Sequence, residues 1–466
     1  MDKPWVTWVL FALLAPAYLL PLSSGAVGTF HDDGIYVVTA KAIAERGRYV
    51  IESLPEELEQ TKYPILFPLI LAGVWRLIPS FPANVPALKL VPLAAMVTWL
   101  IFIVLLIRRI GGTKTEARTI ALFVFVSPWS LYLSSNLLSD LPFAALAYAG
   151  LYLWERLDAT EGSTKPKLRY LFLVGVLIGL DYLISARGVT LWAAASALLI
   201  IQKDWHRALA LCAGFVIFTV PWVLWQIINS PPSDPAYWYY SKVSYQTWHV
   251  FCAHSFHEAA VIVLVNASSW FALPQLIWGF ALNPRLVTAT AWCLCVILFA
   301  ISTWRLGQDT VISSRHGSPS LLGEEPENWP ATLELMDWIK RETPKDGVIG
   351  SILDPIVYLY SDRKAIRPFQ TRPFQLCYER GERTAPLGSV EEFRSHLLAH
   401  RISYLYLSPT LLFEERRHFF RLIAEISKAY PGIFRIAKQT ADGRYMILQV
   451  ELARLSSSQT SLGAPE

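Results

Sequence analysis

Stretch after stretch of this sequence stays apolar for close to the length, about twenty residues, that a helix needs to cross the hydrocarbon core of a bilayer. No other feature limits the fold as tightly. Backbone in lipid must satisfy its own hydrogen bonds, which leaves helices or closed barrels. The candidate spans are 5–22, 86–107, 119–135, 140–155, 169–185, 189–202, 208–228, 259–282 and 286–304. Composition agrees: the 466 residues are 53% hydrophobic and 17% charged, where soluble domains run near 25% charged. The expectation is a polytopic all-α membrane domain over 1–304 with about nine transmembrane helices. Residues 5–22 followed by Ser24-Gly25-Ala26 weakly resemble a secretory signal, but the spans that follow favour an uncleaved anchor.

The net charge of +4 is small, and its cations sit in short loops, a pattern of membrane topology rather than nucleic-acid binding. Arg108, Arg109, Lys114 and Arg118 fill one loop, Arg156, Lys165, Lys167 and Arg169 the next, and Lys203 and Arg207 another. By the positive-inside rule these loops and the N-terminus are cytoplasmic. The first outer loop is then 23–85. Within it, 64–79 are greasy enough to span, which would invert the count. Prolines at both ends mark them instead as a short helix in the outer interface.

The character changes after 304. Residues 305–329 read as a linker, and 330–450 alternate helix and strand as a small extracytoplasmic α/β domain. Its last two strands form a hairpin around Asp442-Gly443. The Ser-rich stretch 451–466 reads as a disordered tail. Cys293 and Cys295 are packing residues on an apolar helix, and Cys252 and Cys377 are a pair that could meet outside the membrane.

Candidate chemistry collects on the outer side. Asp32 and Asp33 open an amphipathic helix over 34–46 that is expected to lie along the outer membrane face, with Ile35, Val38, Ala42 and Ile43 on one face and Gly47 as C-cap. One Asp is explained by N-capping. A second, kept ionised at a helix N-terminus, suits a general base. Lys62 either snorkels to head groups or neutralises a lipid-linked phosphate. Asp140 at the mouth of a span is a cap or a functional acid. Asp181 and Arg187 either pair with each other or leave the guanidinium to grip a phosphate. The loop 229–258 is rich in Tyr and Trp, which suit the membrane interface or sugar stacking. Asp33, Asp140, His254 and His257 are weak candidates for a divalent metal, and no other cofactor is indicated.

These motifs resemble the GT-C superfamily, most closely the group of protein O-mannosyltransferases and aminoarabinose transferases. The resemblance is carried by Asp32-Asp33-Gly-Ile-Tyr with Ala40, Ala44 and Gly47, by Lys62-Tyr63-Pro64 with Phe67-Pro68, and by Ser127-Pro128 through Asp140. It continues in Ser185-Ala186-Arg187-Gly188, Pro221-Trp222 and Asp337-Trp338 through Asp354-Pro355. Asp33 stands where a Glu is usual, and Asp181 where a small apolar residue is. The resemblance implies a transmembrane enzyme of the cell (inner) membrane. It implies inverting transfer of a sugar from a polyprenyl-phosphate donor to a lipid, glycan or protein acceptor. Asp32 would be the base with Asp33 beside it, Lys62 and Arg187 would hold the phosphate, and Asp140, Asp181 and Tyr63 would shape the site. The alternatives are a transporter, disfavoured because the ionisable groups gather at one face rather than the midplane, and a non-catalytic scaffold in which Asp32, Asp140 and Lys62 would not converge.

Overall fold

A computed structural model describes residues 4–158, 164–230, 232–242, 284–321, 326–369, 389–409 and 415–457. Apolar sequence and helix coincide. α1 (Pro4–Leu19) enters a 3-10 turn at Leu20–Ser23, and α2 (Asp32–Arg46) follows. A two-stranded ribbon, β1 (Val50–Ile51) and β2 (Leu58–Glu59), leads to α3 (Leu66–Leu77). The bundle continues through α4 (Val85–Arg109), α5 (Lys114–Phe125), α6 (Pro128–Ser135) and α7 (Asp140–Asp158). It is completed by α8 (Thr164–Ile184), α9 (Gly188–Ile201), α10 (Trp205–Ile228) and α11 (Pro284–His316).

Among the described residues, α4 and α10 are long and apolar enough to cross a membrane, and α5 with α6, bent by 60°, forms a third candidate. That is fewer than the nine spans expected. α7 and α11 carry charged residues at or near their ends, and the span expected at 259–282 lies outside the described residues. α11 runs on to His316, past the expected boundary at 304. α8 and α10 approach backbone to backbone: a Cβ on Gly175 would lie 2.1 Å from the Leu211 carbonyl oxygen. Such contacts are how helices without a hydrophobic drive between them hold together.

The basic ends gather at one end of the bundle. The Arg109 guanidinium at the end of α4 donates to the Glu155 carbonyl near the end of α7, at 3.2 and 3.3 Å. At the other end of α4, buried Lys89 donates to the Ser24 carbonyl at 2.9 Å. The candidate site lies on that second side, where α7 begins at Asp140.

Beyond the bundle come α12 (Trp329–Glu342), β3 (Val348–Gly350), α13 (Asp354–Ser361), β4 (Ala365–Ile366) and α14 (Val390–Ala399). β5 (Ile402–Leu407), α15 (Glu415–Ala429), β6 (Phe434–Gln439), β7 (Met446–Val450) and α16 (Leu452–Ser457) complete the described chain. The strands form one sheet in the order β4-β3-β5-β7-β6. β3 is parallel to both of its neighbours, and β7 is antiparallel to β5 and β6. α16 occupies part of the stretch expected as tail, and its Leu455 is buried.

The sheet does not stand apart from the first loop. Its edge strand is covered, because Ala365 N–H donates to the Ser53 carbonyl at 2.9 Å. Covering an edge in this way removes a template for unwanted pairing. Val37 and Leu54 share one core with Ile366, Leu405 and Leu422.

This contact corrects the reading of α2 as a surface helix. Ile35 and Val38 are buried, as their shared face predicts, but so are Tyr36, Val37, Thr39 and Ala40 on the other sides. α3 packs on one side of α2 and α13 on another, leaving no face for lipid. Each buried Val or Ile contributes about 1.5–3 kcal/mol, so α2 is a core element. Its C-terminus is as expected: Gly47 takes φ 67° and its N–H donates to Ile43 O at 3.1 Å. α3 is the short, bounded helix expected within 64–79. It is 12 residues long, too short to span. Phe67, Leu71 and Trp75 are buried while Leu69, Ile70 and Leu77 are exposed.

Candidate active site

The turn into α2 separates the two acids. The Asp33 carboxylate folds back to accept the N–H groups of Gly28 at 2.7 Å and Phe30 at 3.1 Å. Burial raises its pKa by more than these amides lower it. Both oxygens are occupied in building the turn. Asp33 therefore has a structural role in this turn and is less available than Asp32, and it is not the N-cap. That position falls to His31, which makes no side-chain cap bond and sits at φ 65°, ψ −58°. A non-glycine residue in such a region costs about 1–3 kcal/mol and is held there by its surroundings.

Asp32 is the acid that remains available, its side chain 29% exposed. Burial pushes its pKa up. Contact with His31, the charge of Lys62 and the Tyr63 hydroxyl together outweigh that, so its carboxyl is held below the usual range. His31 lies between two carboxylates: its Nε2 is 3.0 Å from Asp354 Oδ1 and its Nδ1 is 3.6 Å from Asp32 Oδ1. Burial alone would lower the imidazole's pKa. Asp354 and Asp32 raise it by more, against a smaller opposing push from Arg367, and the net shift is upward.

Two cations converge on the same ring. The ammonium of Lys62 lies 4.3 Å from the centre of the Tyr239 ring, and the guanidinium of Arg367 lies 4.0 Å from it. Both residues are buried. Cation–π contact is worth more when desolvated, about 2 kcal/mol. Tyr239 belongs to a 3-10 helix, Pro235–Tyr240, in the part of the aromatic loop that the structure describes. The next hydroxyl, on Tyr240, accepts the Arg367 N–H at 2.9 Å. The Arg367 carbonyl is in turn 2.8 Å from His396 Nε2. Arg367 is thus fixed at both its backbone and its side chain.

The remaining expected residues lie nearby in a different arrangement. Arg187 does not pair with Asp181. It donates to Asp140 at 2.8 Å, with side chains 55% and 35% exposed. Asp181 is buried, and neither of its oxygens meets a hydrogen-bond donor among the described residues. Tyr36 links the two groups: its hydroxyl is 3.0 Å from Ser139 Oγ, and it feels the charges of Asp32, Asp140 and Arg187. Among the described residues no three His, Cys, Asp or Glu side chains are grouped to hold a metal. His254, His257, Cys252 and Cys377 lie outside those residues, as do the side chains of Cys293 and Cys295.

Sequence reasoning missed His31, Arg367 and the role of Asp354. Asp354-Pro355 had been noticed only as a motif. His31 stands next to the acid pair, which is a weak signal. Arg367 carries none, since it enters through the path of β4.

No family model and no curated protein matches this sequence. Solved structures do. ArnT from Cupriavidus metallidurans in its apo state aligns with TM-score 0.52 at 14% identity, covering 97% of this chain and 98% of that one. The same enzyme bound to undecaprenyl phosphate aligns with TM-score 0.51 at 13% identity, covering all of both chains. Over its full length the chain shares the fold of these ArnT structures. This agrees with the resemblance carried by its motifs. It also explains why the sheet half packs on the first loop: the alignment runs the full length, so both halves belong to one architecture. An oligosaccharyltransferase from Archaeoglobus fulgidus aligns less well, with TM-score 0.49 at 10% identity, covering 95% of this chain and 74% of that one.

Proposed function

We propose that this protein is a membrane glycosyltransferase that moves a sugar from a polyprenyl-phosphate donor to an acceptor on the extracytoplasmic side. The observation that carries this reading is Asp32 held ionised beside Lys62, with Lys62 and Arg367 converging on Tyr239. A carboxylate beside one buried cation, with a second buried cation on the same tyrosine ring as the first, suits a reaction that releases an anion. The shared fold supports it, because one of the similar structures is bound to undecaprenyl phosphate.

In the reaction, the acceptor's hydroxyl or amine attacks the anomeric carbon and the bond from that carbon to the phosphate oxygen breaks with inversion. The acceptor's proton passes to Asp32. Polyprenyl phosphate leaves with its charge held by Lys62 and Arg367. Arg187 and Asp140 form the outer rim, and Asp181 and Tyr63 shape the pocket wall. The N-terminus and the basic helix ends are cytoplasmic, and the sheet half faces outward.

The test is incubation of the detergent-solubilised protein with a panel of polyprenyl-phosphate sugars, following release of polyprenyl phosphate in the presence of membrane extract as acceptor source. Release from at least one donor, abolished by heat, is the expected result. Failure with every donor at enzyme concentrations that give a folded thermal transition contradicts the reading.

A further inference from the structure

We infer that Asp354, on the sheet side, is a positioning residue for Asp32 and acts through His31, so that the sheet half completes the catalytic site. The inference rests on the reading of Asp32 as the base and goes beyond it.

Three observations carry it. First, the three groups lie in line: Asp354 Oδ1 is 3.0 Å from His31 Nε2, and His31 Nδ1 faces Asp32 Oδ1 at 3.6 Å. The first distance is a hydrogen bond, which fixes the ring. The second is longer than one, as is common before substrate tightens a catalytic contact. Second, Asp354 and His31 are buried and held. Asp354 Oδ2 has no hydrogen-bond partner among the described residues. The imidazole is walled by the rings of Tyr239 and Tyr240, at 5.3 and 6.1 Å between centroids. The charged groups that face it are Asp32, Asp354 and, more weakly, Arg367.

Third, the distance between the first loop and α13 is fixed by packing. A Cβ added to Gly34 would lie 2.5 Å from Pro355 Cβ, and one added to Gly28 would lie 2.7 Å from Ile356 Cγ1. Gly28 and Gly34 flank His31 in sequence, and Pro355 and Ile356 follow Asp354. The two segments therefore meet on both sides of the His31–Asp354 bond. The strained backbone of His31 is what aims its ring across that seam. A merely structural ion pair would not need a residue forced to φ 65° directly before the acid it faces.

The experiment uses the full-length protein in detergent and has two readouts. One is the histidine-selective nitrogen NMR spectrum at fixed pH, with the His31 signals assigned by their loss in His31→Gln. The wild type should show an Nε2–H held in a strong hydrogen bond, and Asp354→Asn should move that proton upfield. An unchanged His31 signal in Asp354→Asn overturns the proposal whatever the enzyme's substrate is. The other readout is kinetic. Asp354→Asn should lower kcat by about 10–100-fold, the range for outer partners that orient a reacting group, with donor KM within about threefold. The double variant His31→Gln/Asp354→Asn should be no slower than His31→Gln alone, because the effect of Asp354 passes through His31. Losses that multiply, or a change confined to KM, overturn it. If the wild type turns over no lipid-phosphate donor, the functional reading fails while the NMR result still decides the relay. If Asp354→Asn does not fold, the wild-type His31 spectrum decides it: a weakly bonded Nε2–H contradicts it.

Discussion

Two charged groups sit at the same end of the helical bundle, and they are built from the same residue types to different ends. Around Asp32 the partners are buried: His31, Lys62, Asp354 and Arg367 all lie within the core. Asp140 and Arg187 instead meet at 2.8 Å with the arginine side chain 55% exposed. Sequence spacing gives both groups equal standing. Burial does not. An exposed pair of this kind is worth about 0–1 kcal/mol, whereas removing one partner from a buried charged cluster leaves the others unpaired and costs several times more. The lesson is that Arg187 is a rim residue that solvent can replace, while Arg367 is fixed where an anion would be felt.

The largest effect that separates the two groups is chemical. Asp32→Asn should slow transfer by about 10²–10⁴-fold, and Asp140→Asn by far less, as measured by release of polyprenyl phosphate. Equal losses would erase the distinction. Next comes the seam that holds the buried group together. Gly34→Ala puts a methyl against Pro355, and overpacking of this sort costs about 1–3 kcal/mol, readable as a lower Tm. A Tm unchanged in Gly34→Ala would mean that the first loop and α13 are not locked.

The pH dependence of stability sharpens the comparison further. His31's pKa is raised above its ordinary 6.5 in the folded protein. Its contribution is therefore complete below 6.5 and is lost as pH rises through the folded value. His396 is buried and its pKa is lowered to about 4. Its contribution is present above 6.5 and is lost as pH falls toward 4. Thermal melts should thus decline on both sides of mildly acidic pH. His31→Gln should flatten the alkaline side, and an unaltered alkaline slope would contradict the assignment. The smallest effect belongs to the exposed pair: Arg187→Gln should change stability by no more than about 1 kcal/mol.

How far this was legible in the sequence follows from the range of the contacts. Local signals were readable. Gly47 ends α2 and the prolines bound α3. The order of motifs was enough to suggest the GT-C fold. What could not be read was whatever depends on pairs far apart in the chain. His31 and Asp354 are 323 positions apart, and nothing near either one in the chain announces that the two will meet. α2 carries an amphipathic stripe, so it was placed on the membrane surface. Its other faces are covered by α3 and α13, which no local periodicity reports. Asp33 was credited with chemistry because it stands beside Asp32, whereas the turn at Gly28–Phe30 consumes its oxygens.

The most direct test of the buried site is the affinity of the purified protein for undecaprenyl phosphate, compared between Arg367→Gln and Arg187→Gln. A donor phosphate held by Lys62 and Arg367 predicts that Arg367→Gln weakens binding tenfold or more, roughly 1.4 kcal/mol, while Arg187→Gln stays within about threefold of wild type. The reverse order, with Arg187→Gln losing the lipid and Arg367→Gln retaining it, would contradict the placement of the anion beside Asp32.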